Sequence, residues 1–226
     1  MPGHWQTFAD AFSNGASIAP SAWALVRNEK AQHERKGLRA IGNPLSKGLP
    51  PLRWGQAEAL TLAKLAGDID AARIGYEATR EKVVTDLKEA LIYEASCHGN
   101  GGTGDFLDYC LFLANRERLS LRNIFSGQLT DLRGLRLFIL SACQTGILDL
   151  HEARDEVRSS AVGLLQAGAE AVLATQWSVN DGATYLLIVR FYQIWQQSDR
   201  GMSPAAALAA AQRWLRTVTW SDLRTW

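Results

Sequence analysis

Cysteine is scarce in this chain. Only Cys97, Cys110 and Cys143 occur, an odd number in no regular spacing. No disulfide framework can be read from them. Free thiols suit a reducing compartment, so a cytoplasmic protein is expected. Charge of one sign is lacking as well. The formal net charge is +1, with Lys and Arg scattered along the chain. That balance gives no reason to expect a nucleic-acid or membrane partner. No apolar run approaches the roughly 20 residues that a membrane helix needs. The opening MPGHWQTFADAF has no basic segment followed by an apolar core, so no signal peptide is read. Internal repeats, low-complexity tracts and zinc-like ligand spacings are missing too. No metal or other cofactor is expected.

Core-forming material, in contrast, is ample. Hydrophobic residues make up 47% of the 226 positions, enough for one large domain or two small ones. Two stretches organise the rest. RLFILSACQTG, residues 136–146, begins as the apolar run Leu137 to Leu140. It shrinks to Ser141 and Ala142, presents Cys143 and turns at Gly146. A short apolar run bounded by turn residues reads as a strand buried on both faces. ALIYEASCHG, residues 90–99, is built the same way and leads through His98 into Gly99-Asn100-Gly101-Gly102. Open parallel sheets place their ligands at the carboxyl ends of such strands. If these two strands are parallel neighbours, a thiol and an imidazole meet at one sheet edge.

Further strands are expected at Leu38–Ile41, Ala72–Tyr76, Tyr109–Leu113 and Ala171–Thr175. Helical periodicity covers Gln56–Leu65, with Ala57, Leu60 and Leu65 near one face, and Ala78–Ala90, with Val83, Val84 and Leu87. Leu119–Phe125 reads as a short helix capped by Ser120, followed by helices over Asp155–Ala167, Asp181–Gln197 and Pro204–Arg216. Strands alternate with helices for most of the chain. The expected fold is α/β, a three-layer α/β/α sandwich around a mostly parallel sheet, with Tyr109–Leu113 as a hairpin excursion. Residues 1–36 are an N-terminal segment of less regular pattern, expected to belong to a truncated first sheet and helix region. Residues 37–226 form the main domain.

The chemistry sits in Cys143 and His98. A thiol at neutral pH is only partly thiolate, and a nearby imidazole takes its proton and later returns one to a leaving amine. Glycines beside both residues let a substrate backbone approach closely. The N–H groups of Gly99 and Cys143 are candidate oxyanion donors. Residue type alone leaves plainer readings open. A cysteine in a buried strand is commonly an inert small hydrophobe, and a histidine at a strand end commonly a structural hydrogen-bonding residue.

LFILSACQTG, followed by ARDEVRSSAVGLLQAGAEAVLATQWSVNDGATYLLIVRFYQIW, resembles the core of the CHAT domain family. These are caspase-like cysteine peptidases grouped with separases and caspases. APSAWAL, LRAIGNPL, EATREKV, ASCHG, LSLRNIF and SPAAALAAAQRWLR also fall in the family's order, so the resemblance spans roughly residues 15 to 226. It implies a caspase–haemoglobinase fold and a peptidase domain over residues 37–226. It carries the nucleophile onto Cys143 and the acid/base onto His98. Relatives are tied to bacterial defence and regulated proteolysis.

The departures from the family pattern are informative. Many relatives carry a second histidine four residues before the catalytic one, where this chain has Glu94. Strand alternation puts Glu94, Ser96 and His98 on one face, so Glu94 is expected either to orient a histidinium or to be a salt-bridged structural residue. Gln144 stands where Glu usually follows the nucleophile. In basic-specific relatives a pocket acid binds the substrate Arg or Lys. Asp155 is the candidate here, with helix capping as its alternative. Trp177 and Asp181, in QWSVND, are candidates for a substrate-pocket wall, with simple packing as the alternative for Trp177. Cys97 faces away from His98 and is expected in the core. The stretch Gly99 to Gly104 lacks the lysine of a phosphate loop and reads as an active-site loop.

Family members generally have more sheet-forming sequence before residue 15 and a Tyr/Trp-rich strand after the last helix. The chain is therefore expected to be a fragment, a split gene product or a degraded paralogue, with a sheet edge left uncovered. The expected function is a cysteine endopeptidase in regulated proteolysis, cutting protein or peptide substrates, with preference for a basic residue before the cut. A sensor would be a separate regulatory or helical-repeat partner. Two alternatives stay open: a catalytically silent interaction module, and a small-molecule thiol hydrolase on a generic α/β sheet.

Overall fold

The computed structural model describes residues 12, 14–20, 35–100, 106–126, 131–141, 159–175, 179–198 and 201–226. The buried run Leu38–Gly42 forms β1, followed by helix α1 (Arg53–Leu65), β2 (Ala72–Ile74), α2 (Arg80–Glu89) and β3 (Ile92–Ser96). An excursion follows with β4 (Gly99–Asn100), β5 (Cys110–Phe112), β6 (Arg118–Ser120) and the short helix α3 (Leu121–Phe125). The chain then continues through β7 (Leu137–Leu140), α4 (Ser160–Gln166), β8 (Val172–Ala174), α5 (Asp181–Gln197), α6 (Pro204–Thr217) and α7 (Trp220–Thr225).

The main sheet has the order β2-β1-β3-β7-β8, and every pairing in it is parallel. The expected hairpin excursion is a separate antiparallel sheet, β4-β5-β6. Strand alternation divides β3 and its neighbours into two faces. On one face, Ile41, Tyr93, Ala95, Cys97, Phe138 and Leu140 pack with Val83 and Leu87 of α2, Leu121 and Ile124 of α3 and Leu164 of α4. On the other face lies α1. Gly42 allows that helix to come close, since a Cβ there would fall 2.6 Å from Gly55 O and 2.7 Å from Ala59 Cβ. The three expected layers are therefore present.

The closeness of α1 also corrects its expected face. Its buried residues are Gly55, Glu58, Ala59, Leu62 and Ala63, while Ala57, Leu60 and Leu65 are only half-buried. Small residues win the contact because the strand surface at Gly42 leaves room for nothing larger. In α2, Asp86 is buried beside Val83 and Leu87, and Val84 is half-buried. Asp86 tolerates this place because the Arg73 guanidinium grips it through two bonds of 3.1 and 3.2 Å. Of the helix expected over Asp155–Ala167, the described part begins at Ser160, with the Ser159 side chain accepting from Val162 N, and Asp155 lies outside the described residues. Ser120 caps α3 reciprocally with Asn123, as its sequence predicts.

Two compact units make up the chain, one of residues 19–182 and one of residues 1–18 with 183–226. The first holds both sheets. In the second, Phe191 and Trp195 stack at 5.8 Å and the Trp195 indole N–H donates to Met202 O at 3.0 Å. Helix α6 has Ser203 as cap and Pro204 in its first turn. Helix α7 went unread in the sequence, although Thr219 and Asp222 form a capping box at its start. Among the described residues, no helix is long and apolar enough to cross a membrane.

Candidate active site

The sheet order splits between β1 and β3, since β2 lies beyond β1 on one side and β7 beyond β3 on the other. Ligands of open parallel sheets bind at such a split, off the carboxyl ends of the strands. Two loops meet there. Asn43, just after β1, donates its backbone N–H to Ser96 O at 3.0 Å. Its φ of +51° is the left-handed conformation that asparagine tolerates better than most residues. Its Oδ1 accepts from Leu52 N at 2.7 Å, and its Nδ2 reaches Gln56 Oε1 at 3.4 Å. The loop from residue 43 to 52 is thereby folded back, and Pro50 O comes to 2.8 Å from His98 Nε2. A carbonyl can only accept, so Nε2 carries the proton and donates it. In the neutral ring Nδ1 is then the base.

His98 is half-buried, two residues beyond β3. β3 and β7 are parallel neighbours, as the sequence required for a thiol and an imidazole to share one edge. Ala95 lies opposite Leu140, and Ser141 N donates to Ala95 O at 3.0 Å. His98 follows Ala95 by three positions, and Cys143 follows Leu140 by three. Cys143 itself lies outside the described residues, as do Asp155 and Trp177.

Gly99 opens β4. Antiparallel partners alternate between hydrogen-bonded and non-bonded pairs. Phe112 N donates to His98 O at 2.9 Å, so that pair is bonded, and the next pair, Gly99 opposite Leu111, is not. The Gly99 N–H therefore points out of the ladder. Asp181 puts its Oδ2 3.0 Å from Trp54 N, at the start of α1. That bond satisfies one of the orphan N–H groups of the helix. An open cleft of about 690 Å³ flanks the small sheet next to Asn100. Arg80, Arg116 and Arg118 line it together with Asp108 and Glu117, so its walls select no single charge.

Glu94 is not salt-bridged to any cation among the described residues. It sits at the centre of the sheet, level with Ala40 and Ile139, and is fully buried. Its neighbour is another buried acid, Glu58 of α1. Burial pushes both carboxyls up, and the charge of Glu58 adds to the effect on Glu94. Cys97, on the opposite face, is buried and its thiol is pushed up chiefly by desolvation, with Glu94 reinforcing the shift. A thiol held in that state is a poor nucleophile, in line with its expected place in the core.

Three residues of this arrangement escaped the sequence. Pro50 acts through its backbone carbonyl, which no side-chain pattern reveals. Asn43 was visible only as part of the LRAIGNPL stretch. Glu58 was hidden by a misplaced helix face, although an acid three residues after Gly55 and four before Leu62 falls on the buried stripe.

The strand order, the histidine at the split and the parallel β3–β7 pair coincide with a family match. The sequence profile of the CHAT domain matches residues 11–226. The chain belongs to the CHAT domain family. No curated protein matches it significantly. Among solved structures, this CHAT domain is similar to the Arg-specific cysteine proteinase gingipain R (RgpB). The TM-score is 0.55 at 10% identity, over 82% of this chain and 43% of that one. It is also similar to the complex of Porphyromonas gingivalis RgpB pro- and mature domains, with a TM-score of 0.51 at 12% identity over 79% and 42% of the two chains. The chain thus spans about two-fifths of the proteins it resembles. The likeness establishes the fold: α/β, of the caspase–haemoglobinase kind seen in caspase-like cysteine peptidases.

Proposed function

We propose that this CHAT domain is a cysteine endopeptidase working through Cys143 and His98. The Cys143 sulfur attacks the carbonyl carbon of a peptide bond, and the thiol proton passes to His98 Nδ1. Negative charge gathers on the carbonyl oxygen, where the Gly99 N–H donates. The C–N bond then breaks as His98 hands the proton to the leaving amine. A water molecule cleaves the thioester, giving its proton to His98 and regenerating the thiol. Pro50 O holds the imidazole in the tautomer that this sequence needs.

The observation that carries the reading is the β3–β7 register, in which His98 and Cys143 stand equally far beyond the pair Ala95 and Leu140. Asp155, Trp177 and Asp181 are proposed to contact the substrate around the residue before the cut. The similarity to an Arg-specific proteinase makes Arg and Lys the first residues to test there. A separate regulatory or helical-repeat protein is proposed as partner.

The test is digestion of a diverse peptide mixture, read by mass spectrometry, with the wild type beside Cys143→Ala and His98→Ala. Cleavages seen only with the wild type are expected. Identical products from all three folded proteins would reject the reading. A second reading, a silent interaction module, draws on β8. That strand ends the sheet among the described residues, and its Val172, Leu173 and Ala174 are only half-buried. Such an edge can be extended by another chain. Binding of a partner protein without cleavage would favour it.

A further inference from the structure

Two carboxylic acids are buried back to back beneath the strand ends. Glu58 projects from α1 and Glu94 from the central strand β3, and each is at most 1% exposed. Glu58 Oε1, Glu94 Oε1 and Glu94 Oε2 have no hydrogen-bond donor as carboxylates. No Lys, Arg or His among the described residues pairs with either acid. Two bare carboxylates in contact at such a place would cost several kcal/mol, so the arrangement requires a proton. With one carboxyl protonated, its O–H donates to the other acid and the orphaned oxygens find a partner.

The surroundings fit this account. The Ser141 hydroxyl, at the end of β7, faces Glu58 and tempers its shift, although its geometry falls short of a full hydrogen bond. Asp181, at the start of α5, adds negative charge near Glu58 and disfavours its ionisation further. Tyr93 and Cys97 lie on the opposite face of β3 and are themselves neutral groups pushed upward by burial. Helix α1 is pressed onto β3 at the same level, since a Cβ on Gly55 would stand 2.6 Å from Ser96 Oγ. The pair is therefore the polar joint between α1, β3 and the end of β7.

We propose that Glu58 and Glu94 are positioning residues that share one proton, and that this proton ties α1 to the adjacent ends of β3 and β7. The consequence for catalysis rests on the proposed peptidase reading, because those ends lead to His98 and Cys143. The tie itself does not depend on that reading. An acid whose folded pKa lies above its unfolded one favours the folded state at low pH and loses that advantage as pH rises toward the folded value. Glu58 is pushed up to about 7 from an ordinary 4.5, and burial pushes Glu94 well above its ordinary value too. Opening of these strand ends should therefore become easier from about pH 5 to pH 8. The rise in the opening equilibrium is on the order of 10²-fold for Glu58 alone.

The test combines two measurements on the full chain. Hydrogen exchange, corrected for its intrinsic pH dependence, is followed in peptides covering residues 92–100 and 137–141 for the wild type, Glu94→Gln and Glu58→Gln. Infrared spectroscopy looks for a protonated-carboxyl C=O band at pH 7. The wild type should show the band and a rise in exchange between about pH 5 and pH 8. In either glutamine variant the amide is a permanent donor to the remaining carboxylate, so the exchange profile should flatten and the band weaken. A wild type without the band, or variants with the wild-type pH profile, would overturn the proposal. If both variants fail to fold, the wild-type band decides alone. If the peptidase assay is silent while band and exchange behave as described, only the functional reading falls.

Discussion

Replacing Asn43 tests whether the loop after β1 governs the candidate histidine. Asn43→Ala removes the acceptor for Leu52 N, a 2.7 Å bond in a part-buried place. An orphaned backbone donor there costs about 1–2 kcal/mol. Alanine must also adopt the φ of +51°, which costs a side chain with a Cβ about 1 kcal/mol more. The expected loss is about 2–3 kcal/mol. Asn43→Gly relieves the backbone term and should lose only about 1–2 kcal/mol. Asn43→Asp keeps the acceptor and should lose least. Denaturant midpoints read this order directly. The functional half is read at His98 by ¹⁵N NMR of the imidazole. The wild type should be the Nε2–H tautomer, held by Pro50 O at 2.8 Å. Asn43→Ala should release Pro50, mix the tautomers and lower peptide cleavage about tenfold, equivalent to ~1.4 kcal/mol in the barrier. Equal stability of the Ala and Gly variants would refute the backbone term. An unchanged tautomer in a destabilised Asn43→Ala would refute the link from Asn43 through Pro50 to His98.

Two further outcomes follow from buried groups away from the strand ends. Asp86→Ala should lower stability by about 2–3 kcal/mol, less than a fully buried pair would, because the Arg73 side chain is 28% exposed. A denaturation shift worth under about 1 kcal/mol would mean that the Arg73 fork contributes little. Cys97 should stay unmodified by iodoacetamide in the native state at pH 8 and react only after unfolding, since burial holds its thiol neutral. Native labelling of Cys97 at the rate of a free thiol would contradict its place in the core.

Strand positions were easiest to read where a strand is buried along its whole length, as β3 and β7 are. A continuous run such as LFIL needs no alternation to announce itself, and its boundaries move by only a residue or two. Helix α5 was read over its full range, Asp181–Gln197, because an acid opens it and a long apolar repeat sustains it. Errors arose where polar residues occupy core positions. Glu58 and Asp86 both fall on buried helix faces, and reading only apolar residues rotates the inferred face toward Leu60 and Val84. In each case the acid is tolerated for a tertiary reason that no local window contains. For Asp86 the reason is an arginine from β2, and for Glu58 a second acid from β3.

The candidate site divides along the same line. What alternates along β3 was legible: Tyr93, Ala95 and Cys97 go to the core on the α2 side, while Glu94 and Ser96 meet α1. This parity separates the two neighbouring residues capable of thiol and imidazole chemistry. It makes Cys97 inert while leaving His98 at the split in the sheet. What depends on the backbone of another loop was illegible, because Pro50 contributes only a carbonyl and Asn43 only a turn. The strand therefore supplies the histidine, and the β1 loop decides which of its nitrogens carries the proton. A substitution in that loop should alter the protonation pattern of His98 while leaving the β3–β7 register intact. A change on the Glu58–Glu94 side should loosen the strand ends while leaving the His98 tautomer unchanged. If variants at the two places proved indistinguishable in NMR and hydrogen exchange, the loop and the acid pair would be a single structural unit, and the separate roles assigned to them here would be wrong.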